Sequence, residues 1–529
     1  MWWILVVVAA AVVLGYWLVI RPHRYWLKKG VKQGTPGFIF GMNLGMLFQK
    51  KSYAEIAEMV YNVCPNNRYF GTYQFFQATL QLKDPDLIKQ ITVKNFDHFV
   101  DHRTLLPEDI DPLWSKNLFA LSGNKWREMR TTLSPAFTSS KMKYMFTLIS
   151  QSGQQFVNYF VQKDENLITV EIKDTFTRFA SDVIANTAFG VQCDSLRDRE
   201  NEFYMMGKEA TDFSGLKVFR LIGYFLIPNV FKFFNLTLFP KEVGQFFNNL
   251  VKSNIQSREK HGIVRPDLIH LLLEARRNGF KHEDIEPFHD EGFATVEESE
   301  IHKNPKNPKP EITDQDITAQ AALFFFAGFD SVSILMCFMC HELAVNPDVQ
   351  KKLIQEVDDT VEACQGKLTY EALLGMKYMD MVVCESLRKW PNPVSVDRIC
   401  TKPYTIEPKY LDEEPVHLEK NDIVWLPIFG LHRDPQYYPE PERFDPERFK
   451  DENKAKIKPY TYLPFGSGPR NCIGSRFALL ETKTLFFYIL SHFEIVPVEK
   501  TQIPLVLSKK QFNLTAENGF WLGFQRRSK

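Results

Sequence analysis

Hydrophobic positions are distributed along this chain in three ways. Residues Trp2 to Ile20 are apolar without a single charge, and Arg21, Arg24, Lys28 and Lys29 follow at once. About twenty such residues make a helix long enough to span a bilayer, and the basic flank keeps the C-terminal side in the cytosol. A cleaved leader usually has a positive n-region and a small-residue cleavage site, and a mitochondrial transit peptide is Arg-rich and amphipathic. Nothing charged precedes this run, and it is neither Arg-rich nor amphipathic. It predicts an uncleaved transmembrane signal anchor over residues 1–20, a basic and Pro/Gly hinge over 21–50 and one body over 51–529. Most of that body is patterned at helical period, as in Glu171–Gly190, Asp267–Asn278, Asp314–Val345 and Val349–Gln365. Strand-like stretches are short and few: Arg68–Thr72, Thr79–Lys83 and Ile423–Pro427. Lys281–Glu311 is rich in acid, Pro, Lys and Asn without apolar periodicity, and reads as an exposed loop. A second apolar stretch, Phe219–Phe239, contains Arg220, Lys232 and Pro228-Asn229 and is a poor spanning helix. It suits either a membrane-surface segment or a buried pair of core helices.

Composition narrows the class. With 529 residues and 44% apolar content the chain can bury a large core, and no repeat or linker divides it. A formal net charge of +0 gives no electrostatic reason for a nucleic-acid partner. The eight cysteines (Cys64, Cys193, Cys337, Cys340, Cys364, Cys384, Cys400 and Cys472) are scattered, unlike a disulfide framework. Cys337 and Cys340 form a CxxC inside an apolar helical run, with no second pair nearby. They read as small buried hydrophobes.

The chemistry concentrates near the C-terminus, at Phe465-Gly-Ser-Gly468-Pro-Arg470-Asn-Cys472-Ile-Gly474. This spacing can present one cysteine thiolate to a haem iron, and a thiolate on iron favours splitting the O–O bond of oxygen. The glycines allow a tight turn and a close approach to a porphyrin. Residues after Cys472 read as a helix, whose N-terminal dipole favours a thiolate.

The run resembles the haem-ligand loop of the cytochrome P-450 family, the haem-thiolate monooxygenases, and the resemblance covers essentially the whole chain. In wording it is most like insect microsomal members of clan three, family nine. It implies the cytochrome P-450 fold, mainly α with a small β-rich lobe, following the membrane helix. Haem b would lie between the long helix and the Cys472 loop, with Cys472 as the iron ligand. Gly34-Thr-Pro-Gly37 resembles the hinge of microsomal members, which places the body on the cytosolic face of the endoplasmic reticulum. Asn235-Leu-Thr237 and Asn513-Leu-Thr515 match the glycosylation pattern but would never enter the lumen.

Other positions take roles from the same resemblance. Gly328, Asp330 and Ser331, in Ala327-Gly-Phe-Asp-Ser331, lie mid-way along the long helix, where burying a Gly and an acid–alcohol pair is costly. In the family this place kinks the helix, makes room for oxygen and relays protons, Asp330 feeding them and Ser331 hydrogen-bonding the distal oxygen. The usual residue at Ser331 is Thr, so the rotamer-fixing methyl is missing. Glu385 and Arg388 sit one helical turn apart, ordinarily an unremarkable solvated pair. The family buries them with an Arg from a later loop, here Arg448, as a structural triad. Trp126 and Arg130, four apart on one helix, would bond the haem propionates, with Arg398 and Arg470 completing the cradle. Lys125, Arg127, Lys141 and Lys143 form either a docking face for an acidic electron donor or a solvated surface.

The function implied is insertion of one atom of O2 into a lipophilic small molecule, such as a plant toxin or insecticide. Electrons would come from NADPH through cytochrome P-450 reductase, with cytochrome b5 as a second donor. An isomerase or dehydratase that needs no reductase, or a non-catalytic haem-binding protein, are the alternatives. Pocket segments implied by the resemblance are Phe99–Phe119, Phe213–Phe239, Leu323–Ser331, Asn392–Val396 and Phe512–Ala516.

Overall fold

The computed structural model describes the chain except residues 1, 17–21, 36–44, 46–47, 75–76, 104–110, 213–222, 224–229, 231–232, 235–236, 238, 266, 279–292, 295–311, 412, 512 and 529. Helices dominate, and three small sheets flank them. The first sheet has the order β1 (Tyr69–Gln74), β2 (Gln77–Leu82), β7 (Ile423–Leu426), β4 (Val396–Ile399). Its β1–β2 and β4–β7 pairs are antiparallel, while β2 and β7 run parallel with Thr79 opposite Ile423. The second joins β3 (Leu167–Glu171), β9 (Trp521–Arg526) and β8 (Phe493–Pro497), and the third pairs β5 (Tyr404–Ile406) with β6 (Val416–Leu418). The three predicted strand stretches correspond to β1, β2 and β7; the other described strands are not anticipated.

The helix Asp314–Val345 runs through the larger of two apolar cores. It is capped at Thr313, whose hydroxyl accepts from Asp316 N while Asp316 returns a bond to the Thr313 N–H. Its middle, Ala327–Val332, is one turn of π-helix, a widening common at functional sites. Cys337 and Cys340 are both fully buried in its second half. Among the described residues this helix is the one long and apolar enough to cross a bilayer, but most of it is buried inside the body. It is a core helix.

At the N-terminus, Trp2–Gly15 forms a helix with Trp2 and Trp3 over 80% exposed. Its 14 residues span about 21 Å, and the remainder of the predicted span, residues 17–20, lies outside the described residues. The stretch expected as a hinge is partly packed: Trp26 and Val31 are buried in the smaller core, and Gln33 bridges to Gly71. The predicted helix Glu171–Gly190 appears as Ile172–Ile184 plus a π-turn to Phe189, closed by Gly190 at φ 73°.

Two expectations fall largely outside the described residues, Phe219–Phe239 and Lys281–Glu311. Within the first, Phe233 and Phe234 are exposed. Within the second, the reading as an exposed loop is corrected at Phe293-Ala294. Ala294 is buried, and the Phe293 ring packs against Phe449 and Tyr462 at 5.4 and 5.5 Å. The Phe293 N–H donates to Asp380 Oδ2 at 3.0 Å.

Candidate functional site

The Cys472 loop is a set of tight turns. Gly466 and Gly468 take φ values of 78° and 71°, which favour glycine. The Cys472 N–H donates to Phe465 O at 2.8 Å, and the Asn471 N–H to Gly468 O at 2.9 Å. Gly474 then caps the helix Ser475–His492. The expected reason for the glycines needs correcting at Gly468. A Cβ there would lie 1.8 Å from the backbone oxygen of Thr92, so its close approach is to the protein's own Gln90–Lys94 turn. At Gly474 a Cβ would meet only Phe137, at 3.9 Å.

Cys472 lies deep among protein atoms yet keeps accessible surface. Both hold when a side chain opens onto an internal space. Ala327 and Ser331, one helical turn apart on the long helix, are likewise exposed although their neighbours Gly328, Phe329 and Val332 are buried. Phe137 links the two elements: it stands by Gly474 and its ring lies 5.4 Å from that of Phe324. Burial pushes the Cys472 thiol above its ordinary range, outweighing the Gly474 N–H and Arg130 that pull it down. The helix terminus alone therefore does not make the thiolate. A metal ion bound there would supply the missing stabilisation of the thiolate.

Beside the loop, Trp126, Arg130, Arg398 and Arg470 are all buried. Arg130 donates to Asn471 O at 2.9 Å and to Asn471 Oδ1 at 2.7 Å, tying the Gly123–Leu133 helix to the residue before the cysteine. Arg470 stacks over Trp126 at 4.1 Å. Its N–H groups are taken by Val100 O, Leu118 O, Phe119 O, Leu121 O and Asp101 Oδ1. The structure thus turns Arg470 toward carbonyls that hold the 100–121 segment against the loop. Arg398 donates to Asp397 O at 2.7 Å, and its buried Nε has no hydrogen-bond partner among the described residues.

Three buried guanidiniums this close need anions. Burial, with Arg398 second, pulls Arg470 down to about 9, and burial pulls Arg398 down to about 10. The carboxylates of Asp101 and Asp397 offset this cluster in part. A planar ligand carrying two carboxylates and an iron fits what remains: an orphaned buried donor, excess positive charge and a thiol facing the same interior.

Asp330 and Ser331, adjacent in the chain, make separate direct hydrogen bonds. Asp330 Oδ1 accepts from Lys173 Nζ at 2.6 Å and Oδ2 from Asn513 Nδ2 at 2.5 Å. The Ser331 hydroxyl donates back to Ala327 O within its own helix. Gly328 needs another correction, because the space its missing Cβ leaves is filled by Ile184. A Cβ would sit 2.5 Å from Ile184 Cδ1, so Gly328 serves the close crossing of two helices.

The Glu385–Arg388 pair is fully buried and bidentate, at 2.7 and 2.8 Å. Arg448 Nε stands 3.5 Å from Glu385 Oε1, and the Asp445 N–H donates to the same oxygen at 2.9 Å. Burial alone would lower the Arg388 pKa; the Glu385 charge reverses this and holds it up. Arg388 also donates to His432 O at 3.1 Å. His432 is a neutral imidazole, held down to about 3 by burial, whose Nε2 accepts the Leu463 N–H at 2.8 Å. The geometry makes it the link between the Glu385 helix and the segment entering the Cys472 loop. Two of the four basic residues near Trp126 are already paired: Arg127 with Asp97 at 2.6 Å and Lys143 with Glu371.

An accessible thiol on a tight glycine loop, tied through Asn471 to one of several buried guanidiniums, is the site of a haem-thiolate protein. Comparison with known proteins agrees. Residues 35–522 match the Cytochrome P450 family. Cytochrome P450 9e2 of Blattella germanica is 45% identical, covering 99% of this chain and 97% of that protein. Probable cytochrome P450 9f2 of Drosophila melanogaster is 41% identical over 100% of both. Cytochrome P450 6k1 of Blattella germanica is 37% identical over 98% of this chain and 96% of its own length. The chain belongs to the cytochrome P450 family, and its relatives are insect members of families nine and six. It is a monooxygenase of the oxidoreductase class that binds haem b and uses O2, a lipophilic substrate and a redox partner.

Proposed function

We propose that this enzyme oxidises lipophilic xenobiotics, such as plant toxins or insecticides, with electrons from NADPH through cytochrome P-450 reductase and, secondarily, cytochrome b5. Residues 1–20 anchor it in the endoplasmic reticulum membrane, 21–50 link anchor and body, and 51–529 form the catalytic domain on the cytosolic face. The uncharged run with its basic flank supports that topology. The exposed Phe233 and Phe234 add an apolar contact with the membrane surface.

One observation carries the reading: Cys472 keeps accessible surface on a tight glycine loop that lies beside the buried guanidiniums of Arg130, Arg398 and Arg470. Cys472 would bind the iron, with Phe465, Gly468 and Gly474 shaping the loop around it. Trp126, Arg130 and Arg398 would face the propionates, with Arg470, its N–H groups engaged by carbonyls and Asp101, adding positive charge beside them. When bound, haem b supplies the redox-active iron at which O2 is reduced. The chain's own part is to exclude water with its Phe-rich walls, to orient substrate, and to deliver protons from Asp330 past Ser331. Gly328 permits the close helix crossing that sets their positions. Glu385, Arg388 and Arg448 hold the core beneath the loop and perform no chemistry.

The test is the carbon-monoxide difference spectrum of dithionite-reduced protein, wild type and Cys472→Ala, followed by turnover with and without NADPH and reductase. The red-shifted Soret band should vanish in the variant, and product should require both reductants. An imidazole-type band unaffected by the substitution would end the assignment of Cys472. Product formed without reductase would favour the isomerase reading.

A further inference from the structure

Asn513 entered the sequence reading only as an acceptor for glycosylation, and the fold gives its side chain other work. The second sheet delivers it. Strand β3 ends at Glu171 opposite Trp521 of β9, and the Ile172 N–H donates to Phe520 O at 2.8 Å. Two residues past β3, Lys173 opens the helix Ile172–Ile184. A few residues before β9, Asn513 sits in the C-terminal loop. The same register therefore brings both side chains to the π-turn of the long helix, and both meet one acid.

There the carboxylate of Asp330 is held at each oxygen. Lys173 Nζ donates to Oδ1 at 2.6 Å and to Ser333 Oγ at 2.8 Å. Asn513 Nδ2 donates to Oδ2 at 2.5 Å. The side chains of Lys173 and Asp330 are 24% and 17% exposed, so the pair is well shielded and its bonds are stronger than surface ones. Ser333 Oγ closes the network onto Phe329 O and Asp330 O at 3.0 and 2.9 Å and accepts from Thr177 at 3.2 Å. An ion pair alone leaves a carboxylate free to turn about its terminal torsion. A second donor on the other oxygen removes that freedom.

We propose that Asn513 is a positioning residue for the monooxygenase reaction. It holds Asp330 in one rotamer together with Lys173, so that the acid serves proton delivery instead of drifting about its ion pair. This rests on the reading of Asp330 as the proton-delivering acid. It assigns the C-terminal loop a part in efficiency distinct from lining the pocket. It also means that the amide nitrogen a glycan would occupy is already engaged inside the fold.

The test compares Asp330→Asn, Asn513→Ala and Asn513→Asp in the reconstituted holoenzyme, with a lipophilic probe substrate such as 7-ethoxycoumarin. Product per NADPH consumed and its pH profile are read, and the carbon-monoxide spectrum confirms an intact haem site in each. Asn513→Ala should lower product per NADPH by roughly tenfold, the effect of losing a charge-assisted hydrogen bond. Asn513→Asp keeps the shape but sets two carboxylates in contact, so the pair retains a proton to higher pH. Its pH profile should gain a limb near neutrality that wild type and Asn513→Ala lack. Uncoupling by Asp330→Asn, with wild-type coupling in Asn513→Ala and a wild-type pH profile in Asn513→Asp, would overturn the role of Asn513 and leave that of Asp330 standing. Wild-type coupling in Asp330→Asn would overturn both.

Discussion

Replacing Gly468 by alanine tests the account of the Cys472 loop, because two separable costs meet at that position. Its φ of 71° lies in the left-handed region, which charges an L-residue about 1–2 kcal/mol. The second cost is steric. The new Cβ would lie 1.8 Å from Thr92 O and 2.8 Å from Thr92 C. Real contacts of this kind are seldom below about 3 Å, so the carbonyl would have to retreat by more than about 1 Å. Thr92 is fully buried, and its hydroxyl is tied to Ile88 O at 2.8 Å and Ser467 Oγ at 3.3 Å. Such overpacking costs about 1–3 kcal/mol, for a total of about 2–5 kcal/mol. That is a large share of a net stability of about 5–15 kcal/mol. Gly366 isolates the first cost, because it has φ 78° with nothing within 4 Å of its Cβ position. The assay is urea denaturation of the haem-loaded protein, followed by Soret absorbance and by far-ultraviolet circular dichroism. Gly366→Ala should lose about 1 kcal/mol, and Gly468→Ala at least twice that, with reduced haem content. Equal losses in the two variants would refute the clash with Thr92.

Two further substitutions test neighbouring features. Gly328→Ala should destabilise by about 1–3 kcal/mol through overlap with Ile184, and adding Ile184→Ala, which removes both clashing atoms, should recover part of the loss; thermal melts of the single and double variants check this, and additive losses would refute it. Glu481 is fully buried with no hydrogen-bond partner for either oxygen among the described residues, and burial pushes its pKa well above 4.5. The folded state therefore keeps a proton that the unfolded state releases. Its contribution is fully present below pH 4.5 and is lost as pH rises toward the folded-state value, at about 1.4 kcal/mol per pH unit. Glu481→Gln should raise the melting temperature more at pH 8 than at pH 5, and an equal shift at both would show that Glu481 is ionised in the fold.

The elements legible in the sequence were those with long-range regularity or a rare local spelling. The Asp314–Val345 helix is apolar over nine turns, and its bounds match the expectation. The Cys472 loop announces itself by glycines at fixed offsets. What sequence could not supply was the identity of each group's neighbour. Gly468 and Gly328 were expected to yield space to a cofactor and to oxygen, yet their missing Cβ atoms face Thr92 and Ile184, and no local pattern encodes a contact across 376 or 144 residues of chain. Glu385 and Arg388 read as a surface pair on spacing alone; burial comes from the packing of other elements. Phe293 lay in a stretch dismissed for its polarity. An aromatic residue amid acids and prolines was the available signal of an anchor.

The parallel pairing of β2 with β7 bears on synthesis at the ribosome. Strand β2 ends at Leu82, and its partner begins at Ile423. At ordinary elongation rates about 340 residues take roughly 20–70 s to appear. Through that interval the β1–β2 hairpin, marginal by itself, presents an open strand edge. A nascent chain that stalls or is cut short before Ile423 never acquires the covering strand. Such fragments carry a permanent template for intermolecular pairing, so translational pausing between Leu82 and Ile423 should be more harmful to yield than pausing before β1.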